Sequence, residues 1–306
     1  MKKLTTLLFA IVYQSLQLSG QDMFPARQLT YDPAQQGFAT WSPDSKFIVY
    51  QHTDLNDTSG KNGLWKVSAD GTGAGQIFSG LAEHAKWSPD GKYIVFDADT
   101  GNSIRMIPSA GGNVIKFLPD SILIQNGGLP CWSPDGSKIA FIERKELSLC
   151  TYNLKTGELK SLFRENGKLP LPGGWWTDGL SVLAAIMDRQ TRKCEILRIS
   201  TENGEKTTIG CPDKNFYRHL ALSPDGSLLI FAAMEGRYLG LYVMLSGGGK
   251  SLPLAVTKDG HNEGPNWSPD GSMIAFTSTR TGNFEIWIME VNADKIRKEL
   301  ESVNNK

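Results

Sequence analysis

Histidines and charged residues at matching positions are the groups in this sequence whose types and spacing could do chemistry. His84 and His219 each lie three residues before the first residue of a repeated motif, and Glu83 and Arg218 directly precede them. Imidazole and carboxylate groups serve as metal ligands and as general acids or bases. With three further residues at related positions, the candidate set is His52, Glu83, His84, Arg218, His219, His261 and Glu263.

Signatures of nucleophilic catalysis and of common catalytic metal sites are missing from the same sequence. It contains no G-x-S-x-G and no H-E-x-x-H, the patterns that place a reactive serine or two zinc-binding histidines. We therefore predict no catalytic residue, no metal ligand and no cofactor. The candidate set is interpreted as a surface that binds a partner or a ligand.

Charge and composition exclude two classes of protein. The 306 residues include 32 Lys+Arg and 32 Asp+Glu, so the formal charge is zero. A nucleic-acid-binding protein carries an excess of basic residues, which this chain lacks. Apolar residues make up 40% of the chain, which is more than a disordered protein contains. We expect a folded monomer with no nucleic-acid partner.

The N-terminal residues have the pattern of an export signal. Lys2 and Lys3 precede an apolar run at 4–13, and Leu18-Ser19-Gly20 provides a small-residue exit. The run is too short to span a bilayer. Residues 1–20 are predicted to be a signal peptide, and the mature protein is expected in the periplasm or outside the cell, without a transmembrane segment. The alternative is an N-terminal helix of the fold.

The cysteines leave the question of a disulfide open. The four residues are Cys131, Cys150, Cys194 and Cys211. Their irregular placement in the repeats favours small apolar fillers, and the absence of a C-x-x-C pair disfavours a metal site. In an oxidising compartment a disulfide among them remains the alternative.

Six copies of one motif divide the chain into units of similar length. Four copies are close to W-S-P-D-G, one has lost the Trp and one has lost the Ser-Pro. Their first residues are Trp41, Trp87, Trp132, Trp175, Leu222 and Trp267. The spacings are 46, 45, 43, 47 and 45 residues. Ser, Pro, Asp and Gly in this order favour a tight turn, and alternating apolar runs such as Tyr93-Ile94-Val95-Phe96 predict the strands that follow.

Four short strands per unit predict a propeller blade, which buries its faces only against neighbouring blades. The last unit lacks a fourth strand of its own, and Arg27-Gln28-Leu29-Thr30 is expected to supply it. Helical spacing of apolar residues then predicts a short helix from Ala293 to Val303. The predicted architecture is an all-β, six-bladed β-propeller of four-stranded blades at 21–290, closed by an N-terminal strand and followed by a C-terminal helical tail at 291–306.

W-S-P-D-G followed by K-x-I-x-F, repeated at this spacing over about 27–290, resembles the TolB-type propeller repeat. Related blades occur in oligogalacturonate lyases and in prolyl oligopeptidase-type peptidases, so the resemblance implies the fold more specifically than the function. The TolB propeller binds a peptidoglycan-associated lipoprotein, which implies an envelope protein or a carbohydrate ligand as the partner. Oligogalacturonate lyases place a His-rich metal site on their propeller.

The propeller architecture gives the candidate residues a common location. Connections between blades and loops after second strands open on one face, so the four histidines are expected to cluster on one rim. Three interpretations stay open: chance placement on exposed loops, a binding face around the channel mouth, and a His/Glu metal site. The expected function is an exported, non-catalytic binding module of the cell envelope. A metal-dependent polysaccharide lyase or hydrolase is the alternative.

Overall fold

The strands of the protein form six antiparallel sheets arranged in a ring. The computed structural model describes residues 22–54, 56–99, 103–115, 127–211, 213–214 and 216–305. Within these ranges five sheets have four strands and one has three. The first strand in chain order within each motif unit contacts its counterparts in both neighbouring sheets, so the ring is closed. This confirms the six-bladed propeller; the predicted signal peptide at 1–20 lies outside the described residues.

The blades follow one another along the chain. Blade 1 contains β2 (Gln35–Trp41), β3 (Phe47–Thr53), β4 (Gly63–Ser68) and β5 (Gly75–Ser79). Blade 2 contains β6 (Ala82–Trp87), β7 (Tyr93–Ala98) and β8 (Ser103–Pro108). Blade 3 contains β9 (Gly127–Trp132), β10 (Lys138–Glu143), β11 (Ser148–Asn153) and β12 (Leu159–Phe163). Blade 4 contains β13 (Lys168–Trp175), β14 (Ser181–Asp188), β15 (Cys194–Ser200) and β16 (Lys206–Ile209). Blade 5 contains β17 (Arg218–Leu222), β18 (Leu228–Glu235), β19 (Tyr238–Leu245) and β20 (Leu252–Ala255). Blade 6 contains β1 (Ala26–Gln28), β21 (Asn262–Trp267), β22 (Met273–Ser278) and β23 (Glu285–Glu290).

Blade 2 also contains an isolated bridge, and a helix follows blade 6. In blade 2, Ile115 forms a single bridge to Met106 beside the three strands. After β23 the chain forms helix α1 (Ala293–Asn304), whose N-cap Asn292 accepts a hydrogen bond from the backbone N–H of Lys295. No helix among the described residues is long and apolar enough to cross a membrane.

The motif turns hold the strands together in the same way in five blades. In blade 3 the Ser133 hydroxyl donates to Asp135 at 2.6 Å and accepts the backbone N–H of Lys138 at 2.9 Å. This hydrogen bond from Ser133 is the main reason that the pKa of Asp135 falls to about 2. The turn Gly then adopts a positive φ, near +70° at Gly136, which favours glycine because it has no Cβ.

The turns also contact one another around the ring. A Cβ added at Gly136 would lie 3.7 Å from the ring of Pro89 in the preceding blade, and one added at Gly91 would lie 3.8 Å from Pro43. Four of the five turn prolines thus pack beside the turn glycine of the next blade, and the turn that follows Pro269 has Ser45 at this position. This contact explains why Pro and Gly recur together in the motif, beyond the turn conformation itself.

The apolar core is divided among the blade interfaces. Six clusters of buried residues occur in the described part of the chain, and each joins two neighbouring blades. In one of them Leu29, Trp41 and Ile288 join blades 6 and 1. In another, Ile296 and Leu300 of α1 pack on blades 5 and 6. Because each blade buries its faces only against its neighbours, the ring must be closed to complete the core.

The N-terminal strand closes blade 6, as predicted from the sequence. β1 pairs antiparallel with β23, in the register Ala26 with Met289 through Gln28 with Trp287. The pairing begins one residue earlier than the predicted Arg27–Thr30, and past its end the backbone N–H of Leu29 still donates to Ile286 O at 2.8 Å. The start of the chain and β23 thus share one sheet, whose outer edge β1 covers.

A buried carboxylate lies at this closure and makes the stability of the protein depend on pH. Thr30 donates to Glu285 at 2.5 Å and accepts the backbone N–H of Ile286 at 2.9 Å. Burial is the main cause that raises the pKa of Glu285 to about 7. A Glu in the unfolded chain titrates at about pH 4.3. Between about pH 4 and 7 the unfolded chain therefore loses the proton of Glu285 more readily than the folded protein, and the free energy of unfolding falls. Above pH 7 the cost of keeping an ionised Glu285 buried has reached its full value of about 3 kcal/mol.

Replacing Glu285 by Gln should remove this penalty. We expect Glu285→Gln to raise the free energy of unfolding at pH 8 by about 3 kcal/mol and to leave it nearly unchanged at pH 4. Urea denaturation at both pH values measures the difference. Glu290→Gln, at the exposed end of the same strand, is the matched control and should show neither effect. A Glu285→Gln protein that is less stable at pH 8 would contradict the assignment.

Candidate binding site in the central channel

The six inner strands, β2, β6, β9, β13, β17 and β21, surround a central channel. Its cavity volume is about 500 Å³, and residues of all six inner strands line it. Five of the motif tryptophans, together with the prolines of the motif turns, form much of the wall. Clefts of this size are typical of sites for small ligands.

The inner strand of every blade carries a β-bulge, at the same place in five blades and one residue later in blade 4. In blade 1 the pairing with β3 shifts between Gly37 and Thr40, so Phe38 and Ala39 together face Tyr50. The inner strands of blades 2 to 6 shift directly after Glu83, Gly128, Pro172, Arg218 and Glu263. A bulge bends its strand and redirects a side chain. In five blades the bulge includes the residue three positions before the motif, whereas in blade 4 the unpaired residue is Gly173, two positions before it.

The bulges hold these residues in an unusual backbone conformation. The φ values of Phe38, His84, Leu129 and His219 lie between 49° and 53°, the left-handed region that costs a residue with a Cβ on the order of 1 kcal/mol. Blade 4 has Pro172 at this position, and its positive φ moves to Gly174. All of these residues line the channel. The end of the channel where the bulged residues lie is called the mouth below.

A buried carboxylate fixes His84 at the mouth. The Nδ1 of His84 lies 3.1 Å from both carboxylate oxygens of Asp97, whose side chain is fully buried. An ionised carboxylate only accepts hydrogen bonds, so Nδ1 carries the proton. Arg144 Nη2 lies 3.5 Å from the same carboxylate, and the backbone N–H of Leu129 donates to it at 3.5 Å. Asp97 therefore ties blade 2 to blade 3 beneath His84.

His219 is held as a neutral ring on the opposite side of the mouth. The backbone N–H of Gly264 donates to its Nδ1 at 3.2 Å, while the Arg218 guanidinium lies 3.2 Å from its Nε2. Burial, followed by the charges of neighbouring cations, holds the pKa of His219 well below its usual value. Arg218 pairs with Glu263 at 3.2 Å. Burial and these cations disfavour an imidazolium, and the neutral ring has one lone pair, so it accepts only one of the two facing N–H groups.

Phe38 brings the two histidine groups together. Its ring centroid lies 4.1 Å from that of His84 and 5.4 Å from that of His219. One aromatic ring thus contacts two imidazoles that come from blades 2 and 5. Five of the seven candidate residues meet at this mouth: Glu83, His84, Arg218, His219 and Glu263.

The other two candidate histidines have separate surroundings. His52 is buried, stacks on Trp65 at 5.1 Å and lies 3.4 Å from Asp32. His261 accepts the backbone N–H of Leu239 at 3.1 Å and packs against Tyr238. Neither lines the channel. The expected grouping of four histidines is thus reduced to two at the mouth.

One group at the mouth has the composition of a metal site. Ligand atoms of Glu83, His84 and Asp97 all lie within 4.8 Å of one another. However, His84 already donates a proton to Asp97, and the Arg144 guanidinium is 3.5 Å from that carboxylate. A cation there would have to displace a proton and lie beside a fixed positive charge. The donor set fits an ion-pair network better than a divalent metal.

Three residues that shape the channel were not in the predicted set. Phe38 occupies the same motif-relative position as His84, and that equivalence could have identified it. Asp97 follows the apolar run Tyr93-Ile94-Val95-Phe96 directly, and a charge within a buried strand is itself a signal of a buried partner. Lys86 stands one residue before the motif, where the other units have no charged residue. The cysteines are free thiols in the structure.

Sequence comparisons identify a distant relative and no family. No family model matches the chain. An uncharacterised protein from Agrobacterium fabrum is 32% identical over 180 residues, a match that covers 56% of this chain and 58% of that protein. The chain therefore matches little more than half the length of this curated relative.

Structure comparisons support the TolB-like propeller fold. A structure described as a TolB from Agrobacterium tumefaciens has a TM-score of 0.62 at 20% identity, covering 87% of this chain and 94% of that one. An oligogalacturonate lyase from Vibrio parahaemolyticus has a TM-score of 0.61 at 14% identity, covering 89% and 96%. A gluconolactonase from Xanthomonas campestris has a TM-score of 0.65 at 10% identity, covering 90% and 92%. At these identities the likeness is one of fold alone.

Proposed function

We propose that this protein is an exported, non-catalytic binding module of the cell envelope, and that it binds its partner or ligand at the mouth of the channel. The observation that carries the proposal is the bulge repeated in every inner strand. It holds Phe38, His84, Leu129 and His219 at positive φ, at a cost in stability. Strain kept at one end of the channel supports a role for that end in recognition.

Sequence and structure together favour binding over catalysis at the mouth. Because the Nδ1 of His84 faces Asp97, this ring could act as a general base only through Nε2, and the sequence has no G-x-S-x-G or H-E-x-x-H pattern to supply a nucleophile or a zinc site beside it. The hydrogen bonds and ion pairs at the mouth fix the side chains before any ligand arrives. Binding to such a preorganised surface loses less conformational entropy than binding to a mobile one.

Location in the envelope rests on the sequence and on the fold. The predicted signal peptide supports export to the periplasm or beyond, and the TolB-like fold supports a protein partner there. A carbohydrate ligand of the envelope fits the same site, since aromatic side chains line the channel.

Site-specific cross-linking tests the proposed binding surface. A photo-reactive amino acid at position 83, where the side chain is 42% exposed at the mouth, should capture a partner in the envelope of the producing organism. The control is position 92, where the side chain is 72% exposed at the turn end of the same blade. Capture from position 83 alone supports the proposal. Equal capture from both positions, or none from 83, contradicts it.

A metal-dependent lyase or hydrolase is the second candidate. The cluster of Glu83, His84 and Asp97 favours it, and so does a second similar structure, described as an oligogalacturonate lyase in complex with manganese, with a TM-score of 0.58 at 16% identity. Elemental analysis of the same purified protein, after incubation with manganese and desalting, separates the candidates. About one manganese per chain, lost in Asp97→Asn, would establish the metal site. Absence of bound metal supports the non-catalytic proposal.

A further inference from the structure

Lys86 places a positive charge inside the channel. It lies on β6 one residue before Trp87, and it is partly buried. Among the described residues that line the channel, it is the only Lys or Arg, and no Asp or Glu is among them. The channel wall therefore contains one basic side chain and no carboxylate.

The neighbours of Lys86 show that this charge is felt across the cavity. Its charge is one of the causes that lower the pKa of His219 on blade 5, after burial, Arg218 and His84. It also acts on Cys131 of blade 3. Residues of two other blades thus lie within electrostatic reach of Lys86. The amine belongs to the shared space of the channel rather than to the outer surface of blade 2.

No group in the described part of the chain neutralises this charge. Burial raises the pKa of the Cys131 thiol to about 12, so the thiol stays neutral. Burial lowers the pKa of Lys86, and no carboxylate offsets this effect. The nearest carboxylates at the mouth have other partners, since Asp97 pairs with His84 and Glu263 with Arg218. An ammonium in such a place lacks the counter-charge that buried ions normally have.

We propose that the central channel is a binding chamber for one small organic anion, whose carboxylate or phosphate group pairs with Lys86. The volume of about 500 Å³ suits a small molecule. The walls of Trp and Pro suit the apolar or ring-shaped body of that molecule. Metal cations are disfavoured because Lys86 repels them.

This inference rests on the proposed role of the channel as a binding site, but it does not depend on a protein partner. A carboxylate and a phosphate would each pair with the same ammonium group of Lys86. A charge-assisted hydrogen bond inside a protein cavity is stronger than one on the exposed surface. A bound anion would also supply the missing counter-charge, so it should stabilise the folded protein.

Labelling with pyridoxal 5′-phosphate tests the chamber directly, because this probe is itself a small organic anion with an aldehyde. The Lys86 amine and the aldehyde condense to an imine with loss of water, and borohydride then reduces the imine to a stable amine. Peptide mass spectrometry reads the label at each lysine. Lys86 should react faster than the exposed Lys46 and Lys92, because its lowered pKa leaves more of the amine unprotonated.

Competing anions complete the labelling experiment. Benzoate or inorganic phosphate at millimolar concentration should protect Lys86 and leave Lys46 and Lys92 unchanged. Protection by benzoate alone identifies a carboxylate ligand, and protection by phosphate alone identifies a phosphate ligand. The inference is overturned if Lys86 reacts no faster than the controls, or if neither anion protects it. These outcomes are independent of cross-linking at position 83, so each proposal can fail separately.

Thermal unfolding of Lys86→Met gives a second readout that a structural role would not produce. Removing an unpaired charge should raise the Tm by about 3 °C. Benzoate or phosphate, whichever protects Lys86, should raise the Tm of the wild type but not that of the variant. A Lys86→Met protein that melts lower than the wild type would overturn the proposal, because Lys86 would then be a structural residue.

Discussion

Leu29→Ala should destabilise the protein by about 3 kcal/mol, because it empties a closed interface. Leu29 is 4% exposed and belongs to the cluster that joins blades 6 and 1. Deletion of residues 22–29 should prevent folding, since it also removes the pairing of β1 with β23 and the contact of Asp22 with Arg280 at 2.5 Å. Urea denaturation followed by circular dichroism measures both effects.

A leucine on the surface provides the control for this prediction. Leu180 is 65% exposed, and Leu180→Ala should change the free energy of unfolding by less than about 0.5 kcal/mol. If the shortened chain unfolds at the same urea concentration as the full chain, β1 does not close the ring. If Leu29→Ala and Leu180→Ala lower the free energy of unfolding equally, the conclusion is again that β1 does not close the ring.

Asp97→Asn should cost about 3 kcal/mol and should disturb the mouth as well. The carboxylate is fully buried, and it is the partner of His84 and of Arg144. Without its charge, the His84 ring loses its anchor and the Arg144 guanidinium loses its counter-ion. Chemical denaturation gives the loss of stability. Capture of a partner from position 83 should fall in the same variant.

A second aspartate two residues away separates the effect of burial from that of charge. Asp99 has a side chain that is 52% exposed and pairs with Arg105 at 2.6 Å. Exposed ion pairs contribute about 1 kcal/mol or less, so Asp99→Asn should have a small effect. If the two substitutions cost the same, the network around Asp97 is not a buried ion pair of the kind described.

The fold was predictable because its determinants repeat. The motif spacing predicts six blades, and the missing fourth strand of the last unit predicts that the chain start supplies it. Leu29 lies where sister units place their last apolar residue, and the structure confirms this closure. Turn residues and alternating apolar runs are local patterns, so they predict turns and strands without knowledge of the rest of the chain.

The geometry of the mouth was only partly predictable. The repeat frame places His84 and His219 at equivalent positions, but it does not show that a bulge turns them inward. Five of the six positions share a left-handed backbone conformation, but they hold Phe, His, Leu, His and Gly, so no single residue type marks them. The pairing of His84 with Asp97 depends on a contact between strands, and the burial of His52 depends on packing against Trp65. Such contacts follow from register and packing, which single residues do not reveal.

The bulge also affects how recognition by this protein can change. Phe, His, Leu and Gly occupy the same conformation in different blades, as Phe38, His84, Leu129 and Gly264 show. The blade therefore tolerates different side chains at a position that lines the channel. Under the proposed function, single substitutions there would alter specificity while the core between blades stays intact. In evolutionary terms, the six inner strands offer a set of interchangeable positions on a constant scaffold.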